Sequence, residues 1–162
     1  MKKKLLLIII LLLLFCSGCV LKNKTNTSKS TLEKEINSNG YNLSLNESGN
    51  FEKLSYKYPH DVTISSLGTY TMLIYNKDDG SQLFKIGITK FDNMSVDDAM
   101  QGASATKVAT KNYNGIDWVQ FDSGGNNSYV YQYNNDTYNI SFLYDEDLGN
   151  FEESFMKNVK FN

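Results

Sequence analysis

The chain has 162 residues, 41% of them hydrophobic and 13% aromatic, with 16 basic residues, all lysine, against 18 acidic ones and a net charge of −2. That length accommodates one domain beside an N-terminal targeting segment, and a net-acidic body without arginine excludes a nucleic-acid footprint of the clustered basic kind. A single histidine excludes a multi-histidine metal centre.

Met1-Lys2-Lys3-Lys4 opens onto an apolar run from Leu5 to Phe15, and small residues follow. A basic start, a short apolar stretch and a small-residue exit are the pattern of a secretory signal. As a helix, the run reaches roughly 17 Å, well short of a hydrocarbon core of about 30 Å. Extended through Leu21 it reaches the lower edge of a span, which leaves an uncleaved anchor as the alternative.

Both cysteines lie in Cys16-Ser17-Gly18-Cys19. A redox C-x-x-C needs a strand before it and a long helix after it, whereas this one sits between a signal-like run and a polar tail. A disulfide across two intervening residues would be strained and would staple little. The stretch resembles the lipobox of bacterial lipoproteins, in which small residues precede an acceptor cysteine; Cys16 stands where leucine is usual. The resemblance implies that Cys19 carries a diacylglyceryl group on sulfur, that cleavage falls between Gly18 and Cys19, and that the new N-terminus is acylated. It implies a leader over 1–18, a lipidated tether over 19–39, and a protein held by its lipid on the extracytoplasmic face of the cell membrane. No cofactor beyond this covalent lipid is expected. Abundant Asn, Lys, Ile and Tyr with no Arg suggests an AT-rich genome, hence a low-GC bacterium, with Gram-positive species among the candidates. Removing Lys2, Lys3 and Lys4 leaves 13 lysines against 18 acidic groups, a net charge of −5.

Val20 to Asn39 is mostly Lys, Asn, Ser and Thr and cannot bury enough apolar surface to fold alone. Ser30-Thr31-Leu32-Glu33 has the spacing of a capping box. From 40 to 162 the pattern becomes alternation and turns, the mark of a single strand-rich domain. Strands are expected at Tyr41–Leu45, Lys53–Tyr58, Val62–Ser65, Tyr70–Tyr75 and Leu83–Phe91. Ser95 opens a helix with Asp97 and Asp98 in its first turn, and Val96, Ala99, Met100 and Ala103 form its apolar face. Strands at Lys107–Tyr113, Ile116–Asp122, Ser128–Tyr133 and Thr137–Tyr144 follow, joined at Asn114-Gly115, Ser123–Asn127 and Asn134–Asp136. A helix over Asp147–Asn158 buries Leu148, Phe151 and Phe155, and a short Val159–Phe161 strand closes the chain.

Consecutive hairpins with one helix midway and one at the end predict an α+β domain on an antiparallel sheet, with helices packed on its faces. Leu54-Ser55-Tyr56-Lys57-Tyr58-Pro59, the Asn-Gly hairpin, the Tyr-rich strand pair and Phe155-x-x-x-Val159-Lys160-Phe161 together resemble the extracytoplasmic PsbP/Mog1-like domains. The resemblance covers 40–162 and implies an α/β/α sandwich with a non-catalytic, accessory or binding role. The partners of that family do not transfer, because no partner-contacting residues match.

His60 follows Pro59 in a turn beside Asp61 and is the only imidazole available to a Ser-His-Asp arrangement; no G-x-S-x-G nucleophile turn accompanies it. An envelope hydrolase using His60 and nearby carboxylates is the alternative function. Asp78-Asp79-Gly80 and Asp145-Glu146-Asp147 suit calcium in composition, but tight turns and helix starts call for the same residues, and neither matches an EF-hand loop. No metal site is therefore assigned. Tyr129, Tyr131 and Tyr133 share one strand face beside Tyr138, Ile140, Phe142 and Tyr144. That face serves either as a packed layer under the helices or as a platform for sugar rings or peptide. Trp118 reads as core. The expected function is a lipid-anchored, extracytoplasmic binding or accessory module that contacts an envelope protein or a small ligand.

Overall fold

A computed structural model describes residues 41–101 and 103–162. The leader, Gly18, Cys19 and the tether lie outside the described residues.

Two antiparallel sheets form the domain. The smaller contains β1 (Glu47–Phe51), β2 (Leu54–Tyr58) and β10 (Lys160–Phe161), in the order β1-β2-β10. The larger contains β3 (Val62–Leu67), β4 (Tyr70–Asn76), β5 (Gln82–Phe91), β6 (Thr106–Tyr113), β7 (Ile116–Ser123), β8 (Asn126–Tyr133) and β9 (Asp136–Tyr144). Its order, β3-β4-β5-β9-β8-β7-β6, shows that the chain leaves β5, crosses to the far edge, and meanders back until β9 pairs with β5. Helix α1 (Val96–Met100) lies on that crossing, and helix α2 (Phe151–Met156) precedes β10.

The α/β/α sandwich expected from the sequence is therefore corrected. The domain is 57% strand and 9% helix, and it consists of two antiparallel sheets with two short helices rather than a sheet between helical layers. The apolar spacings at Val96, Ala99, Met100 and Ala103, and at Leu148, Phe151 and Phe155, suit a long helix and a single turn equally well. Ser104 (φ 49°) lies just past α1, and Gly149 (φ 58°) lies just before α2. Helix α1 has five residues and α2 six, so each makes fewer than two turns. At α1 the sequence signal was sound: Ser95 Oγ accepts the Asp98 N–H at 3.2 Å, with Asp97 and Asp98 in the first turn. The expected Tyr41–Leu45 strand is replaced by β1, whose ESGNF sequence carries no period-two apolar signal.

Tight turns set the registers. Tyr113 pairs with Ile116 across Asn114-Gly115, both at positive φ, 55° and 78°. Ser123 pairs with Asn126 across Gly124-Gly125, also both positive, so that connection is shorter than the five-residue loop expected. Such turns twist with the strands they join, which is why Asn and Gly occupy them.

One face of the larger sheet carries Leu73, Phe84, Ile86, Ile88, Trp118, Tyr129, Tyr138, Ile140 and Phe142, all buried. Onto it fold α2, through Phe151 and Phe155, and the smaller sheet, through Leu54, Tyr56 and Phe161. Phe161 acts as a keystone, stacked on Tyr133 at 4.5 Å and meeting Tyr138 edge-on at 5.1 Å. Each such ring pair contributes about 0.5–1.5 kcal/mol beyond area burial. The opposite face is sealed at one end by α1, where Met100 joins Phe121 and Val130.

Candidate functional site

Alternation along β7, β8 and β9 sends Gln120, Tyr129 and Tyr144 to the face that α2 covers. Within α2, Phe151 and Phe155 point into the core, so Glu152 lies at the margin of the packed layer. There its carboxylate meets a set of donors. Tyr144 Oη donates to Oε2 at 2.8 Å, Tyr129 Oη donates to Oε1, and Asn127 Nδ2 bridges both oxygens at 3.2 and 3.1 Å. Gln120 Nε2 in turn donates to Asn127 Oδ1 at 3.0 Å, and the Tyr113 ring meets Tyr129 edge-on at 5.8 Å.

Beside this carboxylate opens a cleft of about 380 Å³ whose rim includes Lys111, Asp147, Asn150 and Glu153. The volume lies in the range of small-molecule sites, roughly 300–1,000 Å³. Burial is the main force raising the pKa of both phenols; the Glu152 hydrogen bond and charge add to it. At neutral pH both hydroxyls therefore stay protonated and act as donors. A carboxylate offers about four lone-pair sites. The three protein donors make four contacts to it, two on each oxygen, so the carboxylate is fixed beside the cleft by a chain of hydrogen bonds running from the sheet to the helix.

The three tyrosines singled out in the sequence separate here. Tyr129 is buried at 2% exposure and belongs to the Glu152 network. Tyr131 and Tyr133 are half-buried under Phe161, and Tyr131 also packs on Trp118. Trp118 is fully buried.

His60 sits in the β2–β3 turn with a highly exposed side chain, its Nδ1 2.7 Å from Glu47 Oε1. That bond, followed by the charge of Asp61, raises its pKa above the ordinary imidazole value. His60 lines neither the Glu152 cleft nor a second cleft, of about 390 Å³, flanked by Tyr41, Tyr75 and Lys77. In that second cleft Asp79 is occupied in its turn, accepting from Ser81 N at 2.8 Å and Ser81 Oγ at 2.7 Å. Of the other acidic run, Glu146 pairs with Lys77, and Asp147 accepts the Gly149 N–H at 2.8 Å. These residues lie in the loop before α2 rather than in the helix. Among the described residues no group of three or more His, Cys, Asp or Glu side chains is placed to hold a metal ion.

Glu152, Asn127 and Gln120 were not singled out in the sequence as site residues, and Tyr144 was named only as a neighbour of the tyrosine face. Their only signal was local: an acidic residue in the first turn of a helix, and polar positions inside alternating strands. Which of them meet depends on strand order and on where α2 lands.

No protein-family model and no curated protein matches the chain. Among solved structures, a chain from Bacteroides thetaiotaomicron VPI-5482 is similar at 16% identity and a TM-score of 0.44, over 68% of this chain. The present chain spans less than half of that protein, 45% of its length.

Proposed function

We propose that the protein is a lipid-anchored, extracytoplasmic binding module whose β-rich domain takes a small, hydroxyl-rich ligand of the saccharide class in the cleft beside Glu152. The observation that carries the binding reading is the chain Gln120–Asn127–Glu152, joined by Tyr129 and Tyr144, which holds a carboxylate and two amides in fixed positions along an open cleft. Carboxylates and amides match the donor and acceptor pattern of sugar hydroxyls, and a preformed site loses little ordering entropy on binding. The anchoring reading rests on the Met1–Lys4 and Leu5–Phe15 leader and on Cys16-Ser17-Gly18-Cys19. Two or more acyl chains on Cys19 would hold the protein durably, since each buried methylene contributes about 0.8 kcal/mol.

Binding is tested by titrating the ¹⁵N-labelled protein with chitobiose and with maltose. Amide shifts concentrated at Gln120, Asn127, Tyr144 and Glu152 support the reading, and an unperturbed spectrum with both sugars refutes it. Anchoring is tested by mass spectrometry of protein extracted from membranes, with a lipidated N-terminal Cys19 expected and a retained Met1 on an unmodified chain the contrary result.

A further inference from the structure

The large hydrophobic side chains exposed among the described residues are Ile64 (40%), Leu67 (77%) and Val108 (57%), and all three lie on the two edge strands of the larger sheet. The edges are built differently. In β6 the register slips between Lys107 and Ala109, so Val108 is the extra residue of a bulge, and Lys107 and Lys111 place charge along the strand. Bulges and lysines are the usual protection of an edge against pairing with another chain. β3 has neither. VTISSL pairs with β4 in unbroken register over all six residues, without a charge or a proline.

We propose that β3 is a self-association edge, where a second copy of this chain adds its own β3 antiparallel and makes the two larger sheets continuous. The occupant follows from charge and symmetry. An uncharged strand meets its own copy without like-charge repulsion, whereas pairing β6 with its copy would bring lysines toward lysines. A two-fold axis perpendicular to the sheet keeps each face on its own side, so facing residues must share a face and the axis must pass midway between two copies of the same residue. Centred on Ile64, the pairing sets Ile64 against Ile64 of the second copy, Val62 against Ser66, and Thr63 against Ser65. Ile64 with Ile64 is a β-branched pair and Thr63 with Ser65 a hydroxyl pair, both of the kind that stabilise a sheet.

Directly opposed residues in antiparallel strands have Cα atoms about 4.5–5.5 Å apart, within the span of a disulfide. The full chain carrying Ile64→Cys, the full chain carrying Val108→Cys, and the wild type with only its own cysteines are each oxidised with copper-phenanthroline. The expected result is about tenfold more disulfide-linked dimer for I64C than for V108C or wild type, reflecting the effective concentration of paired strands. Adding Thr63→Lys to I64C should return cross-linking to background. Both cysteine positions are exposed, and circular dichroism verifies the folds. Equal cross-linking of I64C and V108C, or an I64C dimer that T63K leaves unchanged, overturns the proposal.

Discussion

Tyr144 donates its hydroxyl to Glu152 Oε2 at 2.8 Å, so one phenol–carboxylate bond ties the central strand β9 to the closing helix α2. Tyr129 and Asn127 reach the same carboxylate from β8. Removing the carboxylate with Glu152→Ala strands these donors at once. A loss of about 2–3 kcal/mol is expected in urea unfolding, because unsatisfied buried donors cost more than the bond returns. Tyr144→Phe should cost about 1.5–3 kcal/mol. The double variant should fall short of the sum, since both changes break one network. Additive losses would show that the bonds act independently.

Alkaline pH should expose the same network. The phenols of Tyr129 and Tyr144 are raised above their ordinary value, chiefly by burial. A raised folded pKa means the stabilisation is complete below the unfolded value of about 10 and drains away as pH climbs beyond it, where the unfolded chain binds fewer protons. Phenolate absorbance followed against pH should therefore show two tyrosines that ionise only with unfolding. In Y144F one of them should vanish from that late step.

At the β2–β3 turn, His60 should titrate above the ordinary imidazole value of about 6.5, because Glu47 accepts its N–H and Asp61 adds charge. What stability it lends is present below the unfolded pKa and lost as pH rises through the folded one. Replacing Glu47 with Gln should move the imidazole proton resonances back toward the ordinary midpoint. An unchanged titration would assign the shift to Asp61 alone. The exposed pair should leave the melting temperature nearly unaltered in His60→Ala.

Gly49 faces Tyr56 across the β1–β2 ladder. A Cβ built at Gly49 would lie 2.5 Å from Tyr56 Cε2 and 2.8 Å from its hydroxyl oxygen. Tyr56 is 3% exposed and packs on Phe155, so the ring has little room to retreat. Gly49→Ala should cost about 1–3 kcal/mol by overpacking. Adding Tyr56→Leu should make the alanine tolerable, and its failure to do so would locate the strain in the backbone.

Asn114 has a second role beyond its turn. Its Nδ2 donates to Lys157 O at 2.5 Å and Val159 O at 3.1 Å, satisfying carbonyls just past α2. Asn114→Gly keeps the left-handed backbone that the turn needs and removes only the side-chain donor. A loss of about 1 kcal/mol is expected on thermal unfolding, with β6–β7 amide exchange unchanged. Faster exchange there would mean that the turn itself had failed.

Much of this domain was legible in the linear chain. Alternation and turn chemistry act over a few residues, so Asn114-Gly115 foretold its hairpin, Ser95 its helix start, and Tyr70–Tyr75 and Leu83–Phe91 their strands. The aromatic strands β8 and β9 announced themselves, and Trp118 was rightly assigned to the core. What local pattern could not convey was extent and assembly. A single helical turn and a long helix share the same apolar spacing, which is why α1 and α2 were overestimated; the helical sandwich was what the PsbP/Mog1-like resemblance implied. β1 is held by its pairing with Leu54–Tyr58, a partner that no propensity within ESGNF declares. The Glu152 cleft is a further step removed, since residues from β7, β8, β9 and α2 converge only because the chain crosses over and returns to pair β9 with β5. Composition and short-range periodicity determine which segments become strands. Strand order and the landing of the closing helix, set by long-range burial of rings such as Phe155, decide which polar side chains finally meet.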